Sequence, residues 1–204
     1  QGLDPSAPNP PPPVVRTAAA LFTDIRGFTG LAERFKDDPA GLLEVINAHL
    51  TAVVKAVTRC GGIVEKFVGD GLLATFGARN DLPDFAERTL AAAFAVVGAN
   101  EVVNRQRAQE WGFRLDVGVG AAAGTMIVGV IGPPARAELG VLGDPINVAA
   151  RLVAQAKPGE ILLSADVYHG AASQVRADLV DGSAAVRGRS GTVELYRINL
   201  LQPK

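Results

Sequence analysis

After a proline-rich start, the hydrophobic periodicity of this chain switches repeatedly between the spacing of strands and the spacing of helices. The short apolar run 18–23 predicts a buried strand, and apolar residues at helical spacing predict helices over 27–36 and Pro39–Arg59. Two further strands, Ile63–Val68 and 72–76, are joined by a Gly-Asp-Gly sequence that is typical of a hairpin turn. This order excludes an all-helical or an all-strand fold.

The second half of the chain continues the same mixture of elements. An alanine-rich helix is predicted over 84–107, followed by a hairpin of strands 113–120 and 126–131 and a short strand Glu138–Leu142. The next helix, Asp144–Gln155, has its first residue as the expected N-cap. The remaining predicted elements are a strand at 161–163, a helix at 165–172 and a terminal hairpin of 186–191 and 193–198. We therefore predict an α+β fold with a ferredoxin-like β-α-β-β-α-β core, a mostly antiparallel sheet and a C-terminal mixed extension.

Proline content divides the chain into a linker and one domain. The run from Pro10 to Pro13 excludes a helix or a central strand, so we interpret residues 1–16 as a proline-rich linker and residues 17–200 as the domain. The chain opens with Gln1 and not Met, and we expect an upstream sensor or regulatory domain in a longer protein. A structureless chain end is the alternative interpretation of the same prolines.

Composition excludes several classes of function. The 20 Lys and Arg balance 21 Asp and Glu, and only 5% of residues are aromatic, so neither a basic nor a stacking surface for nucleic acid is expected. A single cysteine, Cys60, excludes an internal disulfide, and two histidines do not favour a histidine metal site. The apolar window 115–132 contains Asp116 and several glycines, which suits a hairpin better than a membrane helix. We expect a cytoplasmic domain, whose parent protein can still be attached to a membrane.

Two aspartates stand at the ends of predicted strands. Asp24 ends the first strand, and Asp70 lies at the hairpin tip, so both carboxylates would reach one edge of the sheet if these strands are neighbours. Without histidine or cysteine nearby, they favour a hard cation, most simply Mg²⁺. The helix after Ile25, opened by Phe28 and Thr29, would point its N–H groups at substrate phosphates in the same place. Taken singly, Asp70 fits ordinary turn chemistry and Asp24 fits a helix cap.

A second polar pair lies on the helix Asp144–Gln155. Asn147 and Arg151 are four residues apart and therefore share a helix face. An amide and a guanidinium on one face can bind a sugar and a phosphate, for which Arg is well shaped. An ordinary half-exposed polar face is the alternative.

These pieces together resemble the class III nucleotidyl cyclase catalytic domain, and the bacterial adenylate cyclases in particular. The resemblance runs from about Thr17 to Ile198. Three stretches carry it in this order: FTDIRGFT at 22–29, GGIVEKFVGD at 61–70 and LGDPINVAAR at 142–151. Any one of them alone would be weak, but the three in order are specific.

The resemblance implies a head-to-tail homodimer with two composite sites that convert ATP to cyclic AMP and pyrophosphate. In each site, Asp24, Asp70 and the carbonyl of Ile25 from one chain would hold two Mg²⁺ or Mn²⁺ ions. Asn147 of the other chain would orient the ribose, and Arg151 would stabilise the transition state. The physical requirements of the reaction agree, since a poor hydroxyl nucleophile and a pyrophosphate leaving group both need cations.

The resemblance also implies how the site binds the nucleotide. Lys66 matches the base-recognising lysine of adenylate cyclases, and Arg189 lies where the family has a basic residue for the terminal phosphates. One position departs from the pattern: Gly140 stands where the family often has an Asp or Thr that reads the purine. Without that side chain, discrimination between purines is weaker. A guanylate or dual-specificity cyclase, and a catalytically weak dimerisation or nucleotide-sensing module, therefore stay open as alternatives.

Overall fold

The computed structural model describes residues 12–171, 177–180 and 194–199. The strands are β1 (Val14–Arg26), β2 (Ile63–Val68), β3 (Gly71–Phe76), β4 (Asp116–Ile131), β5 (Glu138–Leu142), β6 (Glu160–Ser164), β7 (Asp178–Leu179) and β8 (Leu195–Asn199). The helices are α1 (Phe28–Arg34), α2 (Pro39–Arg59), α3 (Phe85–Trp111), α4 (Asp144–Gln155) and α5 (Ala165–Gly170). Across these residues, the strands form one sheet in the order β2-β3-β1-β4-β6-β8-β7, with β5 paired to β4. The predicted α+β class is confirmed.

The first half of the chain forms the predicted β-α-β-β-α-β unit. Strands β2, β3, β1 and β4 are antiparallel neighbours, and α2 and α3 cover one face of them. The core under these helices contains Leu21, Val53, Phe76, Leu90 and Val119, which are all fully buried. Burial of each such side chain contributes about 1.5–3 kcal/mol, so this layer fixes the sheet on which the site is built.

Helix α4 covers the opposite face of the sheet. Its residues Val148 and Leu152 pack with Ala18, Ala20 and Leu73 in a second core cluster. Alternate residues of β1 therefore pack against the two helical layers, because successive side chains of a strand point to opposite faces.

Strand β4 differs from the sequence prediction. We predicted a hairpin of 113–120 and 126–131, but the structure has one continuous strand that pairs with β1 from Asp116 to Val128. The glycines that suggested a turn have another role: a Cβ at Gly120 would lie only 2.3 Å from the backbone nitrogen of Val153 on α4. Gly118, Gly120 and Gly124 make room for α4 against the sheet.

Smaller differences concern element ends. Strand β1 begins at Val14, ahead of the predicted 18–23, because its first residues pair with the extended β4. The predicted N-cap Asp144 is instead the first residue of α4, and Gly143 precedes it as the N-cap. A Cβ at Gly143 would lie 2.7 Å from the carbonyl oxygen of Thr125, so this turn requires glycine. Part of the predicted terminal hairpin, 186–191, lies outside the described residues.

One helix in the described part of the chain, α2, is long and apolar enough to cross a membrane by length and composition alone. Its residues Val45, His49, Val53 and Val57 are buried. The helix packs on α3 and on strands β2 and β3.

Candidate active site

The β2–β3 hairpin is held against β1 at the point where both predicted carboxylates lie. The backbone N–H of Ile25 donates a 2.9 Å hydrogen bond to Asp70, and the N–H of Leu72 donates to the Thr23 hydroxyl at 3.3 Å. A Cβ at Gly71 would lie 1.8 Å from the carbonyl oxygen of Thr23, so only glycine allows the hairpin to approach this closely. The structure therefore brings Asp70 beside β1, as the sequence predicted.

Asp24 and Asp70 interact electrostatically. Burial raises the pKa of Asp24 from its ordinary 3.8 to about 6, and repulsion by the charge of Asp70 adds to this rise. Arg26 opposes the rise, because its guanidinium forms an ion pair with the Asp24 carboxylate. The Arg26 side chain is 16% exposed and also donates a 3.2 Å hydrogen bond to the carbonyl oxygen of Ala156, at the end of α4.

The donor set of this pair fits a hard divalent cation. Two neighbouring carboxylates repel each other, and a cation between them would remove that repulsion. Among the described residues, no group of three or more His, Cys, Asp or Glu side chains is placed to hold a metal. A bound ion would therefore complete its shell with backbone oxygen, water or substrate phosphate, as Mg²⁺ usually does.

Helix α1 begins directly after this pair. It starts at Phe28, with Gly27 as its N-cap in a left-handed conformation at φ 72°. Phe28 is half-buried and Thr29 is exposed, so the first turn is open to a ligand. The helix has seven residues, fewer than predicted.

Asn147 and Arg151 lie on α4, and Asn147 is in its first turn, away from the C-terminal end that Arg26 contacts. Asn147 is exposed and Arg151 is half-buried on the helix face beside the buried Val148 and Leu152. Arg26 ties Asp24 to the C-terminal end of α4. Asn147 lies nine residues before that contact, which is about 13 Å along a helix axis.

Lys66 lies on the edge strand β2, and a β-bulge decides which face it occupies. Val64 pairs with Ala74, but Lys66 pairs with Leu73, so Glu65 is the extra residue of the bulge. Leu73 belongs to the core cluster under α4, whereas Ala74 belongs to the cluster under α2 and α3. Residues opposite each other in an antiparallel pair share a face, so the bulge puts the exposed Lys66 on the α4 side.

Gly140 lies on β5 opposite Gly129. A Cβ at Gly140 would lie 2.4 Å from the Cδ1 atom of Ile131. Ile131 therefore fills the space that a purine-reading side chain would need at this position. The last predicted site residue, Arg189, lies outside the described residues.

Three residues that contact the predicted site residues or their chain neighbours were not predicted from the sequence. Arg26 could have been found, because it is two positions after Asp24 and residues at that spacing share a strand face. Ile131 and Arg79 could not, because Ile131 meets Gly140 across a strand pair and Arg79 reaches the carbonyl oxygen of Leu139, 60 residues away.

Comparison with protein families identifies one match over almost the whole chain. The adenylate and guanylate cyclase catalytic domain matches residues 13–200. An uncharacterised protein of Mycobacterium tuberculosis is 36% identical over 193 residues, which cover 93% of this chain and 34% of that protein. An adenylate cyclase of Anabaena cylindrica is 29% identical over 191 residues, or 90% of this chain and 37% of that protein. The chain thus spans about a third of the length of these curated relatives.

Solved structures of both cyclase types resemble this fold. The adenylyl cyclase CyaB from P. aeruginosa has a TM-score of 0.84 at 28% identity, covering 92% of this chain and 95% of that one. The guanylyl cyclase Cya2 has a TM-score of 0.80 at 28% identity, covering 90% of this chain and 92% of that one. Because the two similarities are nearly equal, they do not decide between the two nucleotides.

Proposed function

This chain belongs to the adenylate and guanylate cyclase catalytic domain family, and we propose that it converts ATP to 3′,5′-cyclic AMP and pyrophosphate. One observation carries the proposal: Asp24 and Asp70 are held together by the hydrogen bond from Ile25 to Asp70. These two carboxylates, with the carbonyl of Ile25, would hold two Mg²⁺ or Mn²⁺ ions. Bound ions would lower the pKa of the ribose 3′-hydroxyl and neutralise the leaving pyrophosphate.

The chain's own residues would position the nucleotide. Asn147 orients the ribose, so that the attack within one molecule needs little further ordering. Arg151 lies against the α-phosphate, where negative charge develops on the equatorial oxygens. Phe28 and Thr29 open α1 beside the carboxylates, and Arg189 would bind the terminal phosphates. Lys66, on the α4 face of β2, binds the base.

A homodimer with composite sites is part of the proposal. The separation along α4 supports it, since Asn147 lies far from the end of α4 that contacts Arg26. Exposed apolar side chains support it as well: Val15 pairs with Ile127, and Ile127 pairs with Leu142, forming a row across β1, β4 and β5 that is 44–64% exposed. Such a row is typical of a surface that a second copy covers.

A second candidate function is a cyclase that accepts both ATP and GTP. The specific observation that favours it is Ile131, whose Cδ1 fills the space next to Gly140. An apolar group there offers no hydrogen bond to either purine, so selection rests on Lys66. A site that lacks one polar partner discriminates less between bases.

We also place this domain in the cytoplasm, downstream of a sensor or regulatory domain of the parent protein. A catalytically weak dimerisation or nucleotide-sensing module is the alternative without enzymatic activity. The joint presence of Asp24, Asp70, Asn147 and Arg151 favours the enzyme, because a module without catalysis has no need of all four.

A product assay tests the proposed function. Cyclic AMP and cyclic GMP are measured with ATP or GTP and Mn²⁺ or Mg²⁺, over a range of protein concentrations. We expect cyclic AMP from ATP, with a rate per chain that rises as dimers form. D24A should remove the activity, and D84N, a substitution at an exposed surface ion pair, should not. If wild-type dimers form no cyclic nucleotide from either substrate, the proposal is wrong.

A further inference from the structure

Resting on the proposed function, we propose that Arg79 and Glu65 are positioning residues that hold Lys66 in place relative to β5 and so set the preference for ATP over GTP. Neither residue belongs to the metal pair or to the Asn147–Arg151 pair. Each of them is connected to one of the two positions that would face the purine. Glu65 directly precedes Lys66, and Arg79 contacts the carbonyl of Leu139, which directly precedes Gly140.

The bulge in β2 decides which face of the sheet Lys66 occupies. If Glu65 were paired regularly with Leu73, with no bulge, Lys66 would pair with Leu72 and point into the layer of α2 and α3, since a shift of one residue turns every side chain to the other face. With the bulge, Lys66 pairs with Leu73 on the α4 face. The position of Lys66 therefore depends on whatever keeps this bulge in place.

Glu65 is held by two partners. Its Oε1 accepts a 2.7 Å hydrogen bond from the Thr75 hydroxyl on the neighbouring strand. Arg79 donates to both carboxylate oxygens, with Nε 2.9 Å from each and Nη2 also bonded to Oε2. Only 7% of the Glu65 side chain and 23% of the Arg79 side chain are exposed. A bidentate ion pair that is largely shielded from solvent fixes the relative orientation of the two side chains as well as neutralising their charges.

Arg79 then connects this bulge to β5. Its Nη2 donates a 2.8 Å hydrogen bond to the carbonyl oxygen of Leu139, the residue before Gly140. β5 pairs with β4, whereas β2 lies at the far edge of the sheet beside β3. One guanidinium therefore sets the distance between Lys66 and Gly140.

The chain offers a matched control for this pair. Arg88 forms a similar ion pair with Asp84, with its Nε 2.8 Å from each carboxylate oxygen. That pair lies within α3 and its N-cap, and both side chains are more than 40% exposed. Exposed ion pairs of this kind contribute little to stability, so R88Q removes an arginine–carboxylate pair that, among the described residues, makes no hydrogen bond to β2 or β5.

The experiment compares R79Q, R79K and R88Q by steady-state kinetics with ATP and with GTP. We expect R79Q to raise the KM for ATP and to lower the ratio of kcat/KM values for ATP over GTP about tenfold, the effect of losing one charged hydrogen bond. R79K keeps the positive charge but loses the planar guanidinium that donates to Glu65 and Leu139 together. Its ratio of kcat/KM values for ATP over GTP should therefore lie between those of R79Q and wild type. R88Q should match wild type.

Protein folding is controlled separately. R79Q removes the positive charge beside the Glu65 carboxylate, so the double variant E65Q/R79Q, which buries no unpaired charge, is measured with it. The ratio of its kcat/KM values for ATP over GTP should fall as that of R79Q does. An unchanged ratio in folded E65Q/R79Q, whatever its thermal stability, shows that the pair is only structural and overturns the inference.

Failure of the proposed function would look different. In that case wild type itself would turn over neither nucleotide. Titration with fluorescent analogues of ATP and GTP then decides the inference: R79Q must change the ratio of the two Kd values, and R88Q must not. An equal ratio for wild type and R79Q overturns it by this measurement also.

Discussion

The backbone N–H of Ile25 donates a 2.9 Å hydrogen bond to the carboxylate of Asp70, 45 positions later in the chain. This bond joins the tip of the β2–β3 hairpin to β1 and sets Asp70 beside Asp24. Asp70 is 8% exposed, so water does not replace the bond easily. The carboxylate therefore has two roles that substitution can separate, as an acceptor for the fold and as a proposed metal ligand.

Asparagine and alanine at position 70 should separate these roles. D70N keeps an acceptor for the Ile25 N–H but loses the negative charge, whereas D70A loses both. We expect both variants to lose at least about 100-fold in activity, the effect of removing several kcal/mol of metal stabilisation. D70A alone should also lose about 1–3 kcal/mol of unfolding free energy, because a buried N–H is left unpaired. Denaturant unfolding of the metal-free proteins gives this difference, and equal stability of the two variants would contradict it.

Mixing two inactive variants tests the composite site. In a dimer of a D70N chain and an R151A chain, one site carries both defects and the other carries neither. Random association makes about half of the dimers mixed, so the activity should recover to about a quarter of wild type. The measurement is cyclic AMP formed after the two proteins have been mixed and equilibrated. Two D70N preparations mixed together are the control, and no recovery despite confirmed subunit exchange would argue against shared sites.

The shifted carboxyl of Asp24 predicts how pH changes the response to metal. Its pKa is about 6 in the folded chain and 3.8 ordinarily, so its contribution to the stability of the metal-free protein is present below pH 3.8 and is lost as pH rises through about 6. A divalent cation binds only the ionised form. We therefore expect the rise in Tm caused by Mn²⁺ to be larger at about pH 7.5 than at about pH 5.5.

Thermal shift assays at the two pH values check this expectation. D24N should show little rise in Tm at either pH, because it has no carboxylate to ionise. A rise in wild type that is as large at the lower pH would be inconsistent with the raised pKa of Asp24.

The sequence predicted the fold and the carboxylate pair because both depend on local patterns. Helix α2 was predicted with the bounds it has, because a proline opens it and glycines follow its end. In the structure Asp38 caps its start by accepting a 3.0 Å hydrogen bond from the N–H of Gly41. Strand β4 was predicted wrongly, because glycines that serve a close approach of α4 look like turn glycines in a sequence. Only tertiary packing distinguishes the two.

The same limit applies within the candidate site. Asp24 and Asp70 could be paired from the order of strand and hairpin. Contacts such as Arg79 with Leu139, or Ile131 with Gly140, depend on which strands become neighbours and in which register. Neither residue carries a local signal of its role.

The contact between Ile131 and Gly140 predicts that a side chain introduced at position 140 changes purine selectivity only if Ile131 is shortened as well. Gly140 is not among the described glycines with positive φ, so space and not backbone strain opposes a side chain there. In G140T, the new Cβ must displace the Cδ1 atom of Ile131, which lies 2.4 Å from its position. In G140T/I131A that space is open, and the hydroxyl can reach the base.

We expect the double variant to change the ratio of kcat/KM values for ATP over GTP about tenfold, and each single variant to change it much less. The four proteins form a double-mutant cycle, in which Tm values should show G140T to be less stable than the double variant. Additive effects of the two substitutions would mean that Ile131 does not occupy the purine-reading position.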